Sequence, residues 1–170
     1  MRPLDVTIVG AGAIGGTLGA YLVRAGHAVT FVDTAADHVA AINARGLTIE
    51  GQQETFTVRA PALLPAEVRG PLGTVFLAVK TMHTEVATAQ IAPHLAPGGA
   101  VVSMQNGFNE ERIAAIVGAA RTIGAFVNFG ADYQEPGRIL YGGGGALVLG
   151  ELDGRRTERV DRLVEALRTA

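Results

Sequence analysis

The sequence predicts an α/β fold of the doubly wound kind: a mostly parallel sheet with helices on both faces and a late antiparallel hairpin. Three features carry this. The run from Val6 to Gly16 is a β-branched strand that passes through a glycine turn straight into a helix. A second strand and a second helix then follow by residue 45. Two short, unbroken apolar runs, 74–79 and 100–104, have the character of strands buried on both faces of a parallel sheet. With 170 residues the chain suits one domain with a substantial core, so residues 1–170 are read as a single unit.

Strand one covers Asp5–Val9. The turn after it, Gly10-Ala11-Gly12-Ala13-Ile14-Gly15, has the spacing G-x-G-x-x-G, with a separate task for each glycine. Gly10 permits the tight turn, Gly12 lets a diphosphate approach bare backbone, and Gly15 lets the helix lie close on its strand. The helix, over 13–25, aims unpaired N–H groups and the positive end of its dipole at that turn. Gly26 stops it, and His27 is read as a surface residue of the next turn. Strand two covers 28–33 and ends on Asp33, and a second helix covers 36–44.

Residues 47–58 alternate in the manner of a hairpin with exposed polar positions, and Pro61, Pro65 and Pro71 mark an irregular connection. The strand at 74–79 ends at Lys80, and a helix over 84–94 stops at Pro97-Gly98-Gly99. The strand at 100–104 leads into Gln105-Asn106-Gly107, after which Asn109 suits the cap of a helix to about residue 117. Residues 122–129 form another strand. Arg138–Tyr141, four glycines and 146–149 read as the late hairpin. The glycine run is a loop rather than a second phosphate cradle, because a strand follows it instead of a helix. Residues 157–170 are amphipathic, with Val160, Leu163, Val164 and Leu167 on one side. Leu163 and Leu167 have no partner later in the sequence, so an uncovered apolar surface and self-association to a homo-oligomer are expected.

Composition narrows the functional classes. Net charge is −2 with no block of like charge, which favours neither nucleic acid nor an anionic membrane as partner. There is no cysteine, and His27, His38, His83 and His94 lack the spacing of a metal site, so no metal is expected. Residues 6–23 are uncharged for 18 positions and Arg2 precedes them, which meets the crude length test for a membrane or export segment. Five glycines within that stretch and Asp5 just before it favour a soluble, cytoplasmic protein.

In an open α/β sheet, ligands bind beyond the carboxyl ends of the strands. Four features fall there: the glycine turn, Asp33, Lys80 and Asn106. Asp33 lies 18 residues after Gly15, near the ~20 expected of a carboxylate that accepts both ribose hydroxyls of NAD. An aspartate there would also serve to cap the next helix. A 2′-phosphate would meet a like charge at Asp33, and no arginine follows in Thr34-Ala35-Ala36, so NAD is favoured over NADP. Lys80 is the only lysine beside 13 arginines, a compact ammonium kept at a strand end, where an ordinary surface lysine is the alternative. Asn106-Gly107 is a good turn dipeptide in its own right, and its position at a strand's carboxyl end makes it a site candidate as well.

The glycine turn, the Ala78-Val79-Lys80 strand end and Gln105-Asn106-Gly107 resemble the nucleotide-binding half of the ketopantoate reductases (2-dehydropantoate 2-reductases), a Rossmann-type domain. The resemblance covers essentially the whole chain. It implies hydride delivery from nicotinamide to the ketone of a small 2-oxo acid, with Lys80 and Asn106 beside nicotinamide and substrate in the catalytic role. It also implies that backbone near Gly130 approaches the cofactor, and that NADP is the usual cofactor, with a basic residue near the position of Asp33. The family's general-acid lysine and substrate-clamping residues belong to a C-terminal helical domain that these 170 residues do not include. Lys80 does not match that acid. Two readings compete: the corresponding half of another 2-hydroxy or 3-hydroxy acid dehydrogenase, and a non-catalytic NAD-binding module.

Overall fold

The computed structural model describes residues 3–170; Arg2, the basic flank weighed above, lies outside them. The order is β1 (Asp5–Val9), α1 (Ala13–Arg24), β2 (Ala28–Val32), α2 (Ala36–Arg45), β3 (Leu47–Gly51), β4 (Thr55–Val58) and β5 (Ala62–Leu63). Then come β6 (Leu72–Leu77), α3 (Thr84–Ile91), β7 (Leu95–Ser103), α4 (Glu110–Val117), β8 (Thr122–Asn128), β9 (Ala131–Glu135), β10 (Arg138–Tyr141), β11 (Ala146–Glu151) and α5 (Glu158–Thr169).

Seven strands form the main sheet in the order β11-β8-β7-β6-β1-β2-β5, all parallel except β11, which runs antiparallel to β8. The chain winds outward from β1 in both directions, so the order reverses between β1 and β6, the position at which such sheets hold ligands. Side chains alternate between two cores, as the pleat requires. Val6 and Ile8 of β1 and Phe76 of β6 face α1, α2 and α5, whereas Val9, Val75 and Leu77 face α3 and α4. Helices therefore cover both faces, as the sequence predicts. Residues 6–23 divide into β1 and α1, and no helix among the described residues is long and apolar enough to cross a membrane.

A second sheet, β4-β3-β10-β9, lies on the outer side of α1 and is absent from the sequence-level expectation. Its centre is a parallel pair, β3 with β10, whose members are about ninety residues apart; Ile49 stands opposite Ile139. Helix α1 is thus gripped on two sides. A methyl group on Gly19 would sit 2.3 Å from the Phe31 ring of β2, and one on Gly16 would sit 2.3 Å from Ile139 Cδ1 of β10. The glycines beyond the turn are there for this double contact.

Four expectations need correction. The strand Arg138–Tyr141 does not pair with 146–149. It pairs antiparallel with β9, which makes the late hairpin β9–β10, while β11 pairs with β8 in the other sheet. The glycine run carries the chain between the sheets, pressed so closely on β8 that a Cβ on Gly145 would fall 1.8 Å from the Asn128 carbonyl oxygen. His27 is buried, and its Nδ1 accepts the Leu4 N–H at 3.1 Å, which ties the turn after α1 to the start of β1. Asn109 stands before α4 but makes no side-chain cap; it points inward and is fully buried. Finally, Leu163 is buried in the main core and Leu167 packs partly against it, because α5 folds back on β11. The partner of that stripe lies earlier in the chain, so Leu163 does not supply the uncovered apolar surface expected of it, while Val164 and Leu167 stay half-buried.

Candidate functional site

The glycine turn closes as the motif's physics requires. Gly10 has φ +94°, and a Cβ there would lie 2.9 Å from Ala78 C and Val79 N, so the first glycine is needed both for its torsion and for its contact with the end of β6. A Cβ on Gly15 would lie 2.0 Å from the Gly10 carbonyl oxygen. A Cβ on Gly12 would meet nothing within 4 Å. Two glycines are filled around by protein and the middle one opens outward. Gly12 is also the N-cap of α1, where no side chain caps the helix among the described residues. Bare amides of Gly12, Ala13 and Ile14 at a helix N-terminus suit an anionic group.

Asp33 stands directly beyond β2, partly buried, with both carboxylate oxygens held by backbone. Oδ2 accepts the Ala11 N–H at 2.8 Å and Oδ1 accepts the Ala35 N–H at 2.9 Å. Each oxygen keeps a second lone pair for another donor. The surroundings are acidic. The Tyr133 hydroxyl has its pKa raised, first by burial and then by the carboxylates of Asp37, Asp33 and Glu135. Between the turn and α3 lies a cleft of about 230 Å³, lined by Gly10, Asp33, Thr34, Pro65, Val79 and His83 among others.

Lys80 and Asn106 follow neighbouring parallel strands at matching height. Leu77 pairs with Ser103, and each residue lies three positions beyond its member of that pair. Both are exposed on the rim. Behind them is a buried polar strut that the sequence did not reveal. Gln105 Nε2 donates to the Val79 carbonyl at 2.7 Å and to Thr84 Oγ1 at 2.8 Å, which joins the two strand ends. Asn109 Nδ2 donates to the Asn106 carbonyl at 3.2 Å and to Thr81 Oγ1 at 3.3 Å. The backbone on either side of the Lys80–Asn106 gap is therefore held by amides. Gln105 is 5 % exposed, and replacing it by leucine leaves the Val79 carbonyl and the Thr84 hydroxyl without that donor. The Gln105→Leu variant is expected to lose about 2 kcal/mol of unfolding free energy in urea titration.

Gly130 lies two residues beyond β8 on the same rim, exposed, with nothing within 4 Å of a would-be Cβ and its carbonyl accepting the Gly142 N–H at 2.8 Å. His38 is the residue most clearly missed. It is fully buried in α2, with Nε2 2.8 Å from the Ala11 carbonyl oxygen and Nδ1 accepting the Gly137 N–H at 2.9 Å. Its only sequence signal was its place on the buried stripe of α2 with Ala41 and Ile42.

Strand order, reversal point and glycine turn together define a Rossmann-type domain. The chain belongs to the ketopantoate reductase PanE/ApbA family, whose model matches residues 6–154. A 2-dehydropantoate 2-reductase of Mesorhizobium japonicum is 35 % identical, and the match covers 96 % of this chain and 57 % of that one. The 2-dehydropantoate 2-reductase structure from Geobacter metallireducens superposes with a TM-score of 0.88 at 33 % identity, over 97 % of this chain and 55 % of that one. A D-mandelate dehydrogenase in complex with NADH superposes with a TM-score of 0.83 at 25 % identity, over 97 % of this chain and 52 % of that one. The chain spans a little over half the length of the curated relatives it matches.

Proposed function

We propose that this chain is the dinucleotide-binding half of a reductase that converts a small 2-oxo acid to a 2-hydroxy acid, with ketopantoate as the substrate that the family relationship favours. The observation that carries the reading is the outward-open Gly12 at the uncapped start of α1, set beside a carboxylate fixed at the end of β2. The amides of Gly12, Ala13 and Ile14 receive the diphosphate, and Asp33 accepts the adenosine ribose hydroxyls. The acidic surroundings of Asp33 disfavour a 2′-phosphate, so NAD(H) is preferred over NADP(H). Bound nicotinamide supplies the hydride. Lys80 offers its ammonium to the substrate carboxylate, Asn106 offers amide hydrogen bonds beside the reacting carbonyl, and Gly130 brings backbone against the cofactor. The general acid comes from outside these 170 residues, from a further domain of the protein or from a second chain. The exposed Phe108, Phe126 and Val148 beside the Asn106 end of the rim suit a site completed by more protein.

Titration of the chain with NADH and with NADPH, each followed by nicotinamide fluorescence, tests this. NADH is expected to bind about tenfold or more tightly, the equivalent of one lost charge repulsion. Tighter NADPH would overturn the role of Asp33, and failure of both to bind would overturn the site. The D-mandelate dehydrogenase likeness, with its NADH, favours one second reading, a half of another 2-hydroxy acid dehydrogenase. Joined to the C-terminal half of a relative, the chain is expected to reduce ketopantoate faster than an aromatic 2-oxo acid. The reverse order would favour the second reading.

A further inference from the structure

The two peptide groups that flank Ala11 are each held by a side chain from outside the turn. Asp33 accepts the Ala11 N–H at 2.8 Å and so fixes the Gly10–Ala11 peptide. His38 fixes the next one. The Gly137 N–H is a donor, so Nδ1 of His38 must present its lone pair, and the imidazole proton sits on Nε2. Nε2–H therefore donates to the Ala11 carbonyl oxygen at 2.8 Å. In a trans peptide the carbonyl and the following N–H point in opposite directions. A hydrogen bond that draws the Ala11 carbonyl inward turns the Gly12 N–H outward, into the open space above Gly12. That N–H has no acceptor among the described residues.

We propose that His38 is a positioning residue for the cofactor, orienting the Gly12 amide toward the diphosphate through the Ala11 carbonyl. The inference rests on the dinucleotide reading given above. It gives the second sheet a role as well, because Gly137 in the β9–β10 turn selects the imidazole tautomer, and the Tyr133 ring packs edge-on against the imidazole at 5.1 Å between centroids. The sheet that grips α1 also sets the direction of one amide at its start.

Two substitutions separate positioning from simple core support. In His38→Gln the side-chain amide nitrogen falls where Nε2 was and still donates to Ala11. In His38→Asn the side-chain oxygen falls where Nδ1 was and still accepts from Gly137, but nothing reaches Ala11. His38→Gln is expected to bind NADH within about threefold of the parent, and His38→Asn about tenfold more weakly, the size of one lost orienting hydrogen bond. Equal losses in the two variants, or parent-like affinity in His38→Asn, would overturn the proposal. Nitrogen NMR of the unsubstituted chain with labelled histidine provides a reading that does not depend on the variants folding. Protonation of His38 at Nε2 supports the inference, and protonation at Nδ1 removes its basis. Failure of the parent to bind either NADH or NADPH defeats the dinucleotide reading and this inference with it, and is recognisable because it is seen without any substitution.

Discussion

Gly12→Ala is expected to fold almost as well as the parent chain and to lose about a hundredfold in cofactor affinity. The contrast with Gly10→Ala makes the measurement informative. At Gly12 φ is −70° and a methyl group meets no protein atom within 4 Å, so the backbone accepts alanine. Alanine is a poorer N-cap than glycine, which sets the folding cost at no more than about 1 kcal/mol. For a domain of this size that is a fall in Tm of about 2–4 °C. The methyl group does, however, occupy the space through which a diphosphate reaches the amides, and a displaced diphosphate loses several charge-assisted hydrogen bonds at once. At Gly10 the balance is reversed. Its φ of +94° disfavours any side chain, and the new Cβ would press on the backbone of Ala78 and Val79 at 2.9 Å. Backbone cannot move aside as a rotamer can, so Gly10→Ala is expected to cost about 3 kcal/mol, roughly 6–12 °C in Tm. Thermal unfolding and NADH titration on both variants check this. A Gly12→Ala protein that binds NADH like the parent would mean that the turn is only a fold element.

The contrast also shows where sequence reading succeeded and where it could not. The span from β1 to α2 was legible almost to the residue because every signal there is local: a β-branched strand, a glycine turn, a helix closed by Gly26, a second strand. The rim positions of Lys80 and Asn106 followed from one topological rule applied to two apolar runs. What escaped detection was non-local. β3 and β10 form a parallel pair across about ninety residues, and nothing near either strand announces the other. The glycine run looked like a hairpin loop because glycine tolerates both a tight reversal and a passage between sheets; only the pairing of β11 with β8 separates them. Asn109 looks like a cap by type and position, yet its buried amide turns to Thr81 and the Asn106 carbonyl at the rim instead. His27 reads as a surface turn residue, and His38 draws no notice beyond its lack of metal-site spacing, for the same reason. A histidine in a helix or turn gives no sign that backbone from a distant segment meets its ring, at Nδ1 for His27 and at both nitrogens for His38.

The largest stability effect outside the glycine turn is expected at Arg159. Its guanidinium grips Glu151 with two contacts, Nε at 2.7 Å and Nη2 at 2.5 Å, and Thr157 adds a hydroxyl at 2.6 Å. The Glu151 side chain is only 8 % exposed. Here the carboxylate belongs to the last strand of the sheet and the cation to α5, so the pair fastens the helix that covers the β8–β11 edge. Hydrogen bonding from Arg159 lowers the Glu151 pKa, against the opposing effect of burial. A buried ion pair adds little beyond a well-packed apolar pair, but removing one partner strands the other charge in the interior. Arg159→Met is therefore expected to cost about 3 kcal/mol near pH 7, and Glu151→Leu/Arg159→Met to recover all but about 1 kcal/mol of it. The sign of the pH dependence follows from the same chemistry. A carboxyl group whose folded pKa is depressed contributes stability that is fully present above its unfolded pKa and is lost as pH falls through the folded value. Without Arg159, burial and the nearby Asp153 carboxylate outweigh the Thr157 hydrogen bond and raise the Glu151 pKa, so the variant gains from protonation where the parent loses. The stability gap between parent and Arg159→Met should thus narrow steadily below about pH 5, as Glu151 takes up a proton and no longer needs a cation. Urea unfolding across that range would show it. A gap that stays constant with pH would mean that the guanidinium holds α5 through its 2.9 Å hydrogen bond to the Ala120 carbonyl and its aliphatic stem, and that the charge of Glu151 is incidental.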